Sequence, residues 1–95
     1  MKNSPLTIDQ AQAVAIRAVE FLVSDDERLG RFLALTGLGP GDIAPGLSDP
    51  AFLAGVLDHL MADETALFLF CDHASLAADT PGAARRRLTG REGGQ

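Results

Sequence analysis

The chain has 95 residues, 46% of them hydrophobic, and a formal net charge of −5. This length suits one domain with its own core, and the hydrophobic fraction excludes a disordered protein. A single cysteine excludes an internal disulfide, and the acidic balance weighs against nucleic acid as the main partner, because phosphate backbones are also negative.

The N-terminal segment, Met-Lys-Asn-Ser-Pro, lacks the charged region, apolar run and cleavage site of a signal peptide. No apolar run approaches the ~20 residues that a bilayer span requires. We therefore expect a soluble, cytoplasmic protein. Residues 1–6 are predicted to be a flexible lead-in, residues 7–88 a single helical domain, and residues 89–95 a disordered tail.

The first predicted helix begins at Thr7, which forms a capping box with Gln10. Apolar residues then recur every 3.6 residues on one half of the helical wheel, as is typical of an amphipathic helix on a core. The predicted inward residues are Ile8, Ala11, Val14, Ala15, Ala18, Val19, Phe21 and Leu22.

A second capping box, from Ser24 to Glu27, predicts that another helix follows almost at once. Gly37 is placed to end this helix in the left-handed conformation that glycine adopts without strain. The residues predicted to face inward are Leu29, Phe32, Leu33, Leu35 and Thr36.

Glycine and proline punctuate the stretch from residue 37 to residue 46, which predicts a structured connector. Pro40 is suited to begin one helical turn that Pro45 would end, and an irregular loop over residues 40–46 is the alternative. The glycines lack the GK[ST] ending and the preceding strand of a phosphate-binding loop. Leu38, Ile43 and Leu47 are expected to pack onto the core, or to form a contact patch if they are not all buried.

Ser48, Asp49 and Pro50 combine capping residues with a proline at the first helical position, which predicts a helix start. Near the C-terminus, Thr80 and Pro81 predict another helix start. The inward residues of the first of these helices are Phe52, Leu53, Val56, Leu57, Leu60 and Met61, and those of the last are Ala83, Ala84 and Leu88.

Between these two helices lies the longest apolar run, residues 66–71. It contains no β-branched residue and follows a suitable N-cap, Asp63, so we predict a helix over about residues 63–74. Its apolar side chains point almost all round, so this helix is expected to be central and enclosed by the others. The predicted fold is thus all-α: a compact orthogonal bundle of about five short helices around a central apolar helix.

Residues 24–40, SDDERLGRFLALTGLGP, together with Phe52-Leu53 and Phe70-Cys71, resemble a family of short bacterial proteins known only as a domain of unknown function. The resemblance extends over about residues 5 to 88. It implies a compact helical domain in the bacterial cytoplasm. Because the family has no assigned activity, it implies no functional residue.

His59, Asp63, Cys71 and His73 are of metal-ligating types, but their spacing does not suit a single site. Cys71 and His73 point in nearly opposite directions on a helix, and no CxxC or HExxH motif is present. Cys71 also lies in the most apolar run, where a thiol is poorly ionised. We predict no catalytic, cofactor or metal-binding residues; a metal-binding or enzymatic protein that uses Cys71, His73 or His59 is the alternative.

No Lys or Arg lies between Arg31 and Arg85, so the cluster Arg85, Arg86 and Arg87 follows an acidic body. The main interpretation is that these arginines neutralise that body and complement the dipole of the last helix. Weak nucleic-acid association through them is an alternative.

These features together predict a small non-enzymatic module that binds another protein or itself, without a cofactor and without a membrane. The candidate contact residues are Leu38, Ile43, Leu47, Arg85, Arg86 and Arg87.

Overall fold

The computed structural model describes residues 6–90, and within that range the chain forms helices and turns but no strand. The all-α class is therefore confirmed. The helices are six rather than about five, because part of the connector is itself helical. The elements are α1 (Ile8–Val23), α2 (Asp26–Thr36), a 3₁₀ turn (Pro40–Asp42), α3 (Ile43–Gly46), α4 (Pro50–Met61), α5 (Glu64–Ala74) and α6 (Thr80–Thr89).

The helix starts are set by side chains that accept hydrogen bonds from the first free N–H groups. Thr7 Oγ1 accepts from the Gln10 N–H at 3.0 Å, and the Thr7 N–H donates to Gln10 Oε1 at 2.9 Å, which confirms the predicted capping box. Asp49 caps α4 by accepting from the Ala51 N–H at 3.0 Å, with Pro50 at the first helical position as predicted.

The cap of α2 lies one residue later than predicted. Asp25, not Ser24, accepts from the N–H groups of Glu27 and Arg28, at 2.9 and 3.4 Å. Ser24 belongs instead to the end of α1, where its hydroxyl donates to the Phe21 carbonyl at 2.8 Å. The two adjacent capping residues therefore serve different helices, because the link between these helices is so short.

The connector contains the predicted helical turn and is not an irregular loop. Gly37 ends α2 with φ of +78°, as predicted, and Pro40 begins a 3₁₀ turn. The chain continues into α3, which runs past Pro45 to Gly46. Gly46 is buried against the ring of Phe52, so the connector is pinned to the start of α4.

Three helices, α1, α4 and α6, share the most extensive contacts and enclose the centre of the core. The side chains of α6 are small at Gly82, Ala83 and Ala84, and Ala84 is fully buried. Small residues allow helices to approach closely, so α6 fits between α1 and α4. The largest fully buried side chains are Phe32, Phe70, Leu53, Leu57, Leu60, Val56 and Pro81.

The helix predicted over about residues 63–74 is present as α5, but the prediction that it is central and enclosed is wrong. Phe68 of α5 is 59% exposed and Leu69 is 46% exposed. Since α1, α4 and α6 already close the interior, α5 packs from outside, mainly on α4. It buries one stripe only, formed by Ala66, Phe70, Cys71 and Ala74.

The inward face predicted for α2 is wrong in part, at Leu35 and Thr36. Phe32 is the one buried residue of this helix, whereas Leu35 is 71% exposed and Thr36 is exposed. Leu29 and Leu33 are half-buried. The reason is that α2 packs chiefly against α1 at the edge of the molecule, so a single large ring anchors it.

At the two ends, Leu6 is half-buried against the core, and α6 ends at Thr89 with Gly90 as its C-cap. The remainder of the predicted lead-in and tail, residues 1–5 and 91–95, lies outside the described residues. Within residues 6–90, none of the helices has the length and apolar character needed to cross a membrane.

Candidate interaction surface

α5 is held firmly at both of its ends. Asp63 Oδ1 accepts from the Ala66 N–H at 3.2 Å, which caps the start of the helix. At the other end Ser75 adopts a left-handed conformation with φ of +58°, and the Leu76 N–H returns to the Cys71 carbonyl at 2.8 Å. A non-glycine residue in this conformation costs ~1 kcal/mol, so packing around α5 must compensate.

The inner face of α5 provides that packing. The Phe70 ring lies 5.6 Å from the Phe21 ring of α1, a separation at which aromatic pairs attract. Arg17 of α1 donates from Nη1 to the Ala74 carbonyl at 3.4 Å, which places a positive charge at the negative end of the α5 dipole. These contacts fix the inner face of α5 to α1.

The outer face of α5 consists of six exposed residues around a pair of large apolar side chains. Phe68 and Leu69 lie at its middle. Glu64 and Thr65 precede them by one turn, and Asp72 and His73 follow by one turn. We call these six residues, Glu64, Thr65, Phe68, Leu69, Asp72 and His73, the α5 outer face. Phe68 and Leu69 thus form an exposed apolar pair framed by polar side chains.

Sequence reasoning missed the exposure of Phe68 and Leu69. A wheel projection treats the whole apolar run as buried, because it cannot show how much of the helix its neighbours reach. One signal was available: the small residues Ala66, Cys71 and Ala74 all lie on one stripe. Small residues on one side of a helix mark the side where another helix approaches.

Cys71 belongs to the core. It is 5% exposed, its Sγ lies 3.8 Å from the Ala77 carbonyl, and burial raises the pKa of the thiol above its ordinary value. A raised pKa lowers the thiolate fraction and with it the nucleophilicity. This geometry agrees with the interpretation of Cys71 as a small core residue.

His59 and Asp63, by contrast, meet at a polar pocket of about 180 Å³ between α2, α4 and α5. Arg31 of α2 reaches this pocket, with its Nη1 3.9 Å from Asp63 Oδ2. Burial lowers the pKa of His59; Asp63 opposes this shift and Arg31 adds to it. The His59 ring also packs edge-on against Phe32 at 5.1 Å, which gives it a structural role.

The structure does not place His73 in a common site with His59 or with Cys71. It is exposed on α5 and lines a groove shared with Arg17 and Glu20 of α1. Across residues 6–90, no group of three or more His, Cys, Asp or Glu side chains is placed to hold a metal ion. The alternative of a metal-binding or enzymatic protein thus gains no arrangement of ligands from the structure.

Leu38, Ile43 and Leu47 are half-buried and pack against the core. They lie around the connector, so each presents only part of its side chain to solvent. Their role as a contact patch stays a prediction, and the apolar side chains of the α5 outer face are more exposed than these three.

The arginine cluster is spread over different surroundings. Arg85 forms a bidentate pair with Asp58 of α4, with Nε–Oδ1 and Nη2–Oδ2 distances of 2.6 and 3.2 Å. These bonds raise the pKa of Arg85 and tie α6 to α4. Arg86 is exposed and Arg87 is half-buried. The pairing of Arg85 agrees with neutralisation of the acidic body; a role of the cluster in binding stays a prediction.

The fold and this surface define a small all-helical domain with a tight three-helix core and one externally packed helix whose outer face is partly apolar. The chain belongs to the family described as "Protein of unknown function (DUF3572)", whose model matches residues 8–91. The predicted resemblance to a family of unknown function is thereby confirmed. Comparisons with curated proteins and with solved structures found no match.

Proposed function

We propose that this protein is a small non-enzymatic interaction module of the bacterial cytoplasm and that the α5 outer face is its contact surface. The observation that carries the proposal is the exposure of Phe68 and Leu69, side by side at the middle of a helix that is fixed at both ends. Short links between short helices support an orthogonal arrangement of the bundle that holds this helix.

Covering the α5 outer face with a partner would be energetically favourable. Complete burial of a Phe or Leu side chain stabilises a complex by ~1.5–3 kcal/mol relative to full exposure, and about half of each side chain is still available here. An aromatic residue within a polar rim also matches the usual composition of contact sites, in which aromatic side chains are enriched. Any partner must therefore bring an apolar surface of its own.

Site-specific photo-cross-linking in the native host tests this proposal. Phe68 is replaced by p-benzoylphenylalanine, which keeps the aromatic ring, and Leu35 is replaced in the same way as the control. Leu35 is more exposed, at 71%, but lies on α2. We expect a discrete protein adduct from position 68 that is lost when Leu69→Glu is added, and none from position 35. Equal labelling at both positions, or none at position 68, would contradict the proposal.

A further inference from the structure

We propose that α2 is a pH-sensitive flap, which leaves α4 and unfolds while α1, α4, α5 and α6 stay packed, and that protonation of His59 promotes this opening. We call residues 25–36, which are α2 and its N-cap, the α2 flap. The flap shares no residue with the α5 outer face, so this inference does not rest on the proposed function.

A single aromatic ring anchors the α2 flap on α4. Phe32 is the one buried residue of α2, with 2% of its surface exposed. Its ring lies edge-on to Phe52 at 6.1 Å and to His59 at 5.1 Å. Phe52 and His59 are two helical turns apart on the same face of α4, so the Phe32 ring enters between them. An element held by few buried side chains is among the first to open locally.

The α2 helix is weak once its anchor is withdrawn. It has 11 residues, and isolated helices shorter than ~12–15 residues are marginal in water. Gly30 lies in its interior, where glycine is a poor helix former. A Cβ added at Gly30 would meet nothing within 4 Å, so the packed structure does not require a glycine there. Undocking and unfolding of α2 are therefore expected to occur together.

The chain on either side of the α2 flap is fixed independently of it. At one end Ser24 closes α1, where its hydroxyl donates to the Phe21 carbonyl at 2.8 Å. At the other end the connector is held at Gly46, which packs against Phe52 of α4. Gly37, with φ of +78°, is a joint between the flap and this connector. The flap can thus open between two fixed points without unpacking α1 or α4.

His59 makes the opening depend on pH. It is half-buried beside the flap, in the pocket of about 180 Å³ whose charged lining residues are Asp25, Glu27, Arg28, Arg31 and Asp63. Burial lowers the pKa of His59, Asp63 raises it and Arg31 lowers it. A proton on His59 therefore has a cost in the closed form that comes chiefly from burial.

Opening removes this cost. Arg31 and Glu27 leave with the flap and have opposite charges, and Arg28 pairs with Asp25 at 2.9 Å, so the departing charges largely cancel. Asp63 precedes α5 and stays beside His59. The open form thus binds a proton more readily than the closed form, and a proton favours the form that binds it better. The closed form is favoured most above pH 6.5, and this advantage is lost as pH falls from 6.5 through the pKa of the closed form.

Residue-resolved amide hydrogen exchange of the full chain measures the opening. We expect the interior amides of α2 to be at least about tenfold less protected than those of α4. Gly30→Ala should raise the protection of α2 about two- to fivefold, because alanine stabilises the flap helix. Gly55→Ala is the matched control, since it makes the same exchange in α4 with no new contact, and it should leave α2 unchanged. Equal protection of α2 and α4, or equal effects of the two variants on α2, would overturn the inference, because α2 would then open only with the whole fold.

The same measurement at pH 7.5 and 5.5, corrected for the intrinsic exchange rate at each pH, tests the role of His59. We expect the protection of α2 to fall at the lower pH. The fall should be no more than about tenfold, because an accessible histidine has a pKa of 6.5. His59→Gln has no titrating ring and should show no such fall. Unchanged protection of α2 in the wild type, or an equal fall in His59→Gln, would overturn the inference.

Discussion

Gly46 allows the connector to pack closely against the core, because it has no side chain. A Cβ added at this position would lie 2.5 Å from Cγ of Phe52. The Phe52 ring has little freedom to move away, because Phe32 packs edge-on against it at 6.1 Å. We expect Gly46→Ala to lower the free energy of unfolding by ~1–3 kcal/mol, as overpacking does.

Gly55 within α4 is the matched control, since its added Cβ meets nothing within 4 Å. Gly55→Ala should raise stability by ~0.5–1 kcal/mol. Urea denaturation measures both, and a Gly46→Ala protein as stable as Gly55→Ala would contradict this account.

His59 should make stability depend on pH near neutrality. Burial lowers the pKa of His59 below its ordinary value of 6.5, so the folded state takes up a proton less readily than the unfolded state. The contribution of His59 is therefore complete above pH 6.5 and is lost as pH falls from 6.5 through the folded-state pKa. Urea denaturation between pH 7.5 and 5.5 should show the wild type losing stability relative to His59→Gln. A parallel decline of the two proteins would exclude His59 as the cause.

At the level of the secondary-structure element, the junction between α1 and α2 separates two capping residues that are adjacent in sequence. Asp25 accepts from two N–H groups at the start of α2 and also pairs with the Arg28 side chain at 2.9 Å. Ser24 only donates to the Phe21 carbonyl. We expect Asp25→Ala to cost ~0.5–2 kcal/mol and Ser24→Ala less than ~0.5 kcal/mol. Thermal unfolding of the two variants measures the difference. A larger loss for Ser24→Ala would restore the capping box that the sequence predicts at Ser24.

Most helix boundaries could be predicted from sequence because their causes are local. Thr7 with Gln10, Asp49 with Pro50, and the left-handed Gly37 each act within four residues of the helix end. Which helix is central could not be predicted, because that depends on how closely helices approach one another. Ala84 carries little hydrophobic signal, yet its small size allows α6 into the centre. Phe68, by contrast, is strongly hydrophobic but lies on the surface. The α5 outer face was missed for the same reason, although the stripe of Ala66, Cys71 and Ala74 was one sequence signal of it.

At the scale of the whole molecule, burial on α5 divides one apolar run into a structural half and a surface half. Phe70 is 1% exposed and packs on Phe21, whereas Phe68, two residues earlier, is 59% exposed. A buried Phe→Ala change costs ~3–5 kcal/mol, a large part of the ~5–15 kcal/mol that stabilises a typical domain. Phe70→Ala should therefore approach complete loss of the fold.

Phe68→Ala should change stability by less than ~0.5 kcal/mol, because the ring is mostly in water and alanine is the better helix former. The two variants are compared by urea denaturation at the same low micromolar protein concentration. The same amino acid exchange on the same helix removes equal hydrophobic content from both proteins, so the difference reports burial alone. If both variants lose stability equally, α5 is enclosed after all and has no free apolar face. If only Phe70→Ala does so, Phe68 makes no large contribution to the fold of the single chain and is available for contact with another.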